Sequence, residues 1–261
     1  MDLQLKGKVV IVTGGSEGIG EGITRSLASE GAIPVIASRA VAASEQLVAE
    51  LQDAGIPALF IGGDLSEPGR CHTVVEQTAR RFGSIYGVVN NAGINDAIGL
   101  EKGGPDGFRS SLDKNLYHYY GLVHFALPYL KESRGAIVNI SSKVALTGQG
   151  NTSGYAAAKG AQLALTREWA AELLPYGVRV NAVLPAEVMT PLYETWLKTA
   201  FKDPEAKKKE ITARIPLEKR MTTKEEIADM VAFLLSPRSG HTTGQWVVVD
   251  GGYVHLDRSI T

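Results

Sequence analysis

A single cysteine, Cys71, stands among 261 residues, which excludes an intramolecular disulfide and gives no thiolate cluster for a metal. Charge of one sign is also missing. The 27 Lys and Arg residues nearly cancel 28 Asp and Glu, leaving a net charge of −1, so no basic field draws nucleic acid to the chain. The run Lys207-Lys208-Lys209 reads as a solvated helix face. No apolar stretch is long enough to span a membrane, and residues 1–6 enter the first strand without space for a signal peptide. These absences set the expectation of a soluble, cytoplasmic protein with neither nucleic-acid nor membrane partners. The length suffices for one large domain with a full core, so a single unit over 1–261 is expected.

What is present is a strict alternation of two periodicities. Short apolar, β-branched runs at 8–12, 34–38, 58–62, 86–90, 136–140, 178–184 and 245–249 read as strands. Helical spacing fills 19–28, 41–54, 69–82, 105–130, 153–174 and 224–235 between them. Such alternation specifies an α/β fold, here a seven-stranded parallel sheet with helices on both faces. One stretch, 188–216, is irregular, too long for a simple crossover, and rich in Tyr, Trp and charge. It is expected to form a lid over a ligand at the C-terminal edge of the sheet.

Two motifs carry chemistry. The first, Thr13-Gly-Gly-Ser-Glu-Gly-Ile-Gly20, follows a buried strand and opens a helix whose apolar residues are Ile19, Ile23 and Leu27. A strand, a glycine turn and a helix start form the resting place of a dinucleotide pyrophosphate. Glycines admit close backbone approach, and the helix N-terminus offers free N–H groups and a favourable dipole. This is the nucleotide-binding unit of a doubly wound Rossmann sheet. The second motif, Ser153-Gly-Tyr-Ala-Ala-Ala-Lys159, places Tyr155 and Lys159 one turn apart on the same helix face. An ammonium beside a phenol favours the phenolate and makes a poor base useful. Alone, either pattern also describes an ordinary tight turn or a wet helix face; their joint placement does not.

With Asn90-Asn-Ala-Gly93 after the fourth strand, and with Asn115 and Ser142 at fitting positions, nearly the whole chain resembles the short-chain dehydrogenase/reductase family. The 13-residue step from Ser142 to Tyr155 matches that family's spacing. The resemblance implies a catalytic set of Asn115, Ser142, Tyr155 and Lys159. In the family the asparagine kinks its helix and orders a water that relays the proton outward past the lysine. It also implies cofactor contacts from Gly14, Ser16, Gly18, Ile19 and Gly20; from Ser38 and Arg39; from Asp64 and Leu65; from Asn91, Ala92 and Gly93; from Tyr155 and Lys159; and from Pro185, Val188 and Thr190. Asp64 stands where the family contacts the adenine. Assembly as a homotetramer, through two long helices and the last strand, is a further implication. Leu122, Phe125, Ala126, Ala161, Leu165 and Trp169 supply apolar or small surface for it.

The chemistry can also be stated from the residues. Oxidising an alcohol needs a base for the hydroxyl proton and an acceptor for the hydride. Tyrosine titrates near 10, so working near neutrality needs a fall of ~3 units, or ~4 kcal/mol of phenolate stabilisation. Lys159 and an oxidised nicotinamide are the available cations, and Ser142 can hydrogen-bond the substrate oxygen. At the end of the second strand, Ser38-Arg39 offers no acid for a ribose diol and a guanidinium suited to a 2′-phosphate, which favours NADP. Glu17, where many NADP enzymes of the family carry a base, leaves NAD acceptance open. The segment from Val188 to Met221 is similar to a narrower group, the type 14 17β-hydroxysteroid and bacterial L-fucose dehydrogenases. Glu187 follows Pro185-Ala186, a departure from the family's Pro-Gly, and a carboxylate suits a polyol. With Asn95, Lys143, Gln149 and Trp196, alongside Ser142 and Tyr155, it forms the expected substrate set. The expectation is a small-molecule substrate, a sugar oxidised at its anomeric hydroxyl. A 3-oxoacyl carrier-protein reductase, a general secondary-alcohol or steroid dehydrogenase, and a silent dinucleotide-binding regulator stay open.

Overall fold

Five consecutive buried residues, Val9–Thr13, make strand β1 at the centre of the molecule. The structure is a computed structural model that describes residues 1–256; the final positions of the expected 1–261 unit, 257–261, lie outside the described residues. Around β1 run β2 (Ile33–Ser38), β3 (Leu59–Gly62), β4 (Gly87–Asn90), β5 (Ala136–Ile140), β6 (Arg179–Pro185) and β7 (Trp246–Val249). All pair in parallel in the order β3-β2-β1-β4-β5-β6-β7. The expected seven-stranded parallel sheet is thus observed, each strand within two residues of its expected bounds.

The period of two along β1 divides the core. Val9 and Ile11 pack with Tyr119, Leu122 and Trp169 on one face, while Val10 and Val12 pack with Ile23, Leu27 and Val231 on the other. Helices α1 (Gly18–Ser29), α2 (Val41–Asp53) and α9 (Lys224–Leu235) cover the second face. Helices α3 (Arg70–Phe82), α5 (His118–Ser133) and α6 (Ser153–Leu173) cover the first. Each fully buried aliphatic side chain contributes roughly 1.5–3 kcal/mol, so both layers bind tightly to the sheet. Chain order reverses between β1 and β4. Their C-terminal ends, Thr13 and Asn90, therefore border the crevice where ligands settle in such sheets.

Two expectations are corrected. The single helix over 105–130 is two, α4 (Gly104–Leu112) and α5, joined by a π turn at Asp113–Tyr117 centred on Asn115. The extra residue that a π turn holds is invisible to a 3.6-residue pattern. The irregular stretch 188–216 contains two helices, α7 (Pro191–Ala200) and α8 (Pro204–Ala213). Thr190 caps the first and Asp203 the second, each by accepting a backbone N–H, and each is followed by a proline at the first helical position. Of the expected apolar assembly surface, Leu122, Ala126 and Trp169 are core, whereas Phe125 stays 37% exposed.

Candidate active site

Thr13 organises the crevice floor. Its hydroxyl accepts from the backbone N–H groups of Asn91 (2.8 Å) and Ala92 (2.9 Å), pinning the segment after β4 beside the end of β1. The Asn91 amide donates back to the carbonyl of Thr13 at 2.9 Å, and Thr24 donates to Gly15 at 2.7 Å. The turn is thereby shaped from both sides. Gly14 and Gly18 take positive φ of 62° and 53°. A Cβ at Gly20 would lie 2.0 Å from the Gly14 carbonyl oxygen, so only glycine fits there. Helix α1 begins at Gly18 without a side-chain cap, leaving its first N–H groups to the crevice. Such a bare glycine cradle at a helix start fits a dinucleotide pyrophosphate.

The crevice is a single cleft of about 450 Å³, within the ~300–1,000 Å³ usual for small-ligand sites. Every expected cofactor residue lines it: Gly14, Ser16, Gly18, Ile19, Gly20, Ser38, Arg39, Asp64, Leu65, Asn91, Ala92, Gly93, Tyr155, Lys159, Pro185, Val188 and Thr190, together with Ser142. Thr190 and Pro191 close over the glycine turn, since a Cβ on Gly18 would meet Thr190 at 3.2 Å. At the opposite end Arg39 donates to the Asp64 carboxylate at 3.2 Å, and Ser16 bonds Ser38. The expected phosphate-reading guanidinium is therefore half of an exposed ion pair, a partner that neighbours in sequence could not reveal.

At the chemical end, α6 brings Tyr155 and Lys159 to the ends of β4 and β5. The Lys159 ammonium lies 5.5 Å from the Tyr155 ring centre. Lys159 is buried and donates to the carbonyl of Ile140 (2.7 Å), the Tyr119 hydroxyl (3.3 Å) and Gln162 Oε1 (3.3 Å). Burial pushes its pKa down to about 7. Burial likewise pushes the Tyr155 phenol up to about 12, against a hydrogen bond with Ser142 that pulls it back. The expected fall in the phenol's pKa is thus not supplied by the protein alone. Burial resists charge on each group, and at Tyr155 the Ser142 hydrogen bond offsets only part of it.

Asn115 is fully buried and not at the cleft wall. Its Oδ1 accepts from the Ile94 N–H at 2.7 Å and its amide donates to Ser111 at 2.9 Å, tying the loop after β4 to the π turn. A Cβ on Gly93 would come 2.8 Å from Asn115 Oδ1, so glycine is required where these elements meet. The Asn115 carbonyl accepts from Gln162 Nε2 at 2.7 Å.

The substrate set divides. Ser142 and Tyr155 line the cleft; Asn95, Lys143, Gln149, Glu187 and Trp196 do not. Asn95 and Gln149 lie on exposed loops. Trp196 packs edge-on against Tyr193 and Phe201, 43% exposed. Glu187 is buried, one oxygen paired with the Lys143 ammonium and the other accepting from the Tyr193 hydroxyl at 2.7 Å. Lys143 also stands over the Tyr253 ring at 4.3 Å. Tyr193 itself lines the cleft. Burial and the adjoining carboxylate both push its phenol upward, so it stays protonated as Glu187's donor. Sequence reasoning missed Tyr193, Tyr119, His118 and Gln162. A signal existed for Gln162, which is three residues beyond Lys159 and shares its helix face; Tyr193 had none, because its partner is fixed by the fold of 188–216. His118 lines the cleft with its Nε2 at 3.0 Å from the Lys114 carbonyl, and burial pushes its pKa down to about 4.

A family profile described as enoyl-(acyl carrier protein) reductase matches residues 14–254. L-fucose dehydrogenase of Mus musculus is 40% identical over 247 residues, covering 94% of this chain and 88% of that one. The 3-oxoacyl-[acyl-carrier-protein] reductase FabG of Thermotoga maritima is 34% identical over 255 residues, covering 97% of this chain and all (100%) of that one. The crystal structure of Cj0485 dehydrogenase superposes with a TM-score of 0.95 at 48% identity, covering 99% of this chain and 98% of that chain. The chain belongs to the short-chain dehydrogenase/reductase family. It is an NAD(P)-dependent oxidoreductase acting on CH–OH groups.

Proposed function

We propose that the protein oxidises the anomeric hydroxyl of a pyranose to an aldonolactone, with L-fucose as the first candidate substrate and NADP as the preferred acceptor, NAD being accepted. The observation that carries the reading is the convergence of Ser142, Tyr155 and Lys159 on one cleft with the glycine cradle. Similarity to L-fucose dehydrogenase over 94% of the chain supports the sugar.

Bound in this cleft, the oxidised dinucleotide supplies the acceptor for the hydride leaving C1. The chain's own residues manage the proton and the geometry. Ser142 donates to the substrate oxygen and holds it beside the Tyr155 hydroxyl. Tyr155, as phenolate, takes the hydroxyl proton when the C–H bond breaks. Lys159 lends its positive field to that phenolate while three neutral acceptors fix its position. Asn115 acts one step back, holding Gly93 and Ile94 against the cleft. Arg39 receives the 2′-phosphate after exchanging its Asp64 partner for it.

The lid is formed by α7 and α8, with Tyr193 as its inward face. Glu187 belongs to this lid assembly. One oxygen takes the Lys143 ammonium and the other the Tyr193 hydroxyl, so Glu187 positions both of those side chains. Likeness to a 3-oxoacyl carrier-protein reductase at 34% identity favours a second reading, reduction of an acyl thioester ketone. Reduced-nicotinamide absorbance separates the two. L-fucose with NADP should raise it, and a 3-oxoacyl thioester with NADPH should leave it unchanged. The opposite pair of results would replace the sugar reading with the acyl one.

A further inference from the structure

Gln162 is fully buried inside α6, three residues from Lys159. Its amide sits between two groups of the site. Nε2 donates to the Asn115 carbonyl at 2.7 Å and Oε1 accepts from the Lys159 ammonium at 3.3 Å. A carbonyl can only accept, so the bond to Asn115 fixes which end of the amide faces Lys159. The residue's own carbonyl is held as well, by Thr166 Oγ1 at 2.7 Å, and Thr166 in turn accepts from Asn139 at 2.9 Å. A buried amide so fully engaged has one available orientation, and leaving either end unpaired would be costly.

We propose that Gln162 is a positioning residue that holds the Lys159 ammonium in place for Tyr155, with its own aim set by the Asn115 carbonyl in the π turn. The proposal rests on the Tyr155–Lys159 reading of the site but not on the identity of the substrate. The groups that face Lys159 make an uncharged acceptor matter. From α5 come Tyr119, bonded to it, and His118, held neutral by burial; from α6 comes Tyr155; β5 offers only the Ile140 carbonyl. Among the described residues no carboxylate is bonded to this ammonium. Its charged form therefore depends on oriented neutral dipoles, of which the Gln162 carbonyl is one of three. Take that dipole away and the ammonium loses its proton more readily. The field on Tyr155 then weakens, and the phenol titrates higher.

The test is a tyrosinate absorbance titration of the complex with NADP, with Tyr155→Phe protein as the reference that isolates Tyr155. Gln162→Met keeps volume and removes both hydrogen bonds. It should raise the Tyr155 midpoint by about half a pH unit or more, with NADP affinity within about twofold of wild type. Thr166→Val is the control, because it removes buried hydrogen bonds from the same helix turn without touching Lys159. It should lower Tm and leave the Tyr155 midpoint in place. If Gln162→Met does not fold, Gln162→Leu gives the same reading with a smaller chain. An unmoved midpoint in either folded variant, or an equal shift in Thr166→Val, overturns the positioning role alone. A wild-type titration with no component missing from Tyr155→Phe overturns the base assignment together with it.

Discussion

At Tyr155 burial and a hydrogen bond from Ser142 oppose each other. Burial pushes the phenol up to about 12 and pushes Lys159 down to about 7. Oxidation needs the phenolate, so the proton must leave Tyr155 before it can take the substrate's. The logarithm of kcat/KM for oxidation should therefore rise with pH, up to about pH 8 or 9, with reduction favoured in the acid direction. A flat profile with chemistry rate-limiting would contradict this sign. At the other end of the cleft, Arg39→Ala removes the cation proposed for the 2′-phosphate. It should lower kcat/KM with NADP by about tenfold or more and spare NAD, judged from a charge-assisted bond of roughly 1.5–3 kcal/mol. Equal losses with both cofactors would leave Arg39 as only the exposed partner of Asp64.

The elements decide what the sequence revealed. Tyr155, Lys159 and the glycine turn were legible because each motif lies within one element or across one strand-helix junction. The same holds for β1 to β7, whose runs are mostly apolar and β-branched. Glu187 was legible as a carboxylate near the mouth but not as a partner for Lys143 and Tyr193. Those contacts join the ends of β5 and β6 to α7, which only the fold brings together. The helices inside 188–216 had readable starts, Thr190-Pro191 and Asp203-Pro204, hidden by their polar faces. If Glu187 acts by fastening α7, Glu187→Ala should raise KM for L-fucose about tenfold or more. Tyr193→Phe, which leaves the carboxylate in place, should reproduce part of that loss. A normal KM in both variants would detach α7 from substrate binding. Helix α9 tests packing independently of chemistry. Its capping box joins Thr223 and Glu226, and Thr223→Ala should cost about 1 kcal/mol and lower Tm by a few degrees without changing kcat.

Across the whole molecule, the sheet places both motifs at one switch point, and the π turn with α5 leaves an aromatic face outside the core. Tyr117 and Tyr120 are 69% and 56% exposed, and His124 stacks on Tyr120. With Phe125 this makes a patch suited to burial against another copy, and light scattering at micromolar concentration should give a tetramer. A monomer would overturn the expected assembly and leave the site intact. The central claim, that Tyr155 is the base for oxidation of a sugar held in this cleft, is tested most directly by one paired assay. Reduced-nicotinamide absorbance is followed with L-fucose and NADP for wild type and Tyr155→Phe protein, after NADP binding is shown equal in both. Wild type should form NADPH steadily, and the variant should fall by at least about a hundredfold, the lower range of a general base's contribution. A variant that keeps more than about a hundredth of the wild-type rate, or a wild type that leaves L-fucose untouched, would contradict it.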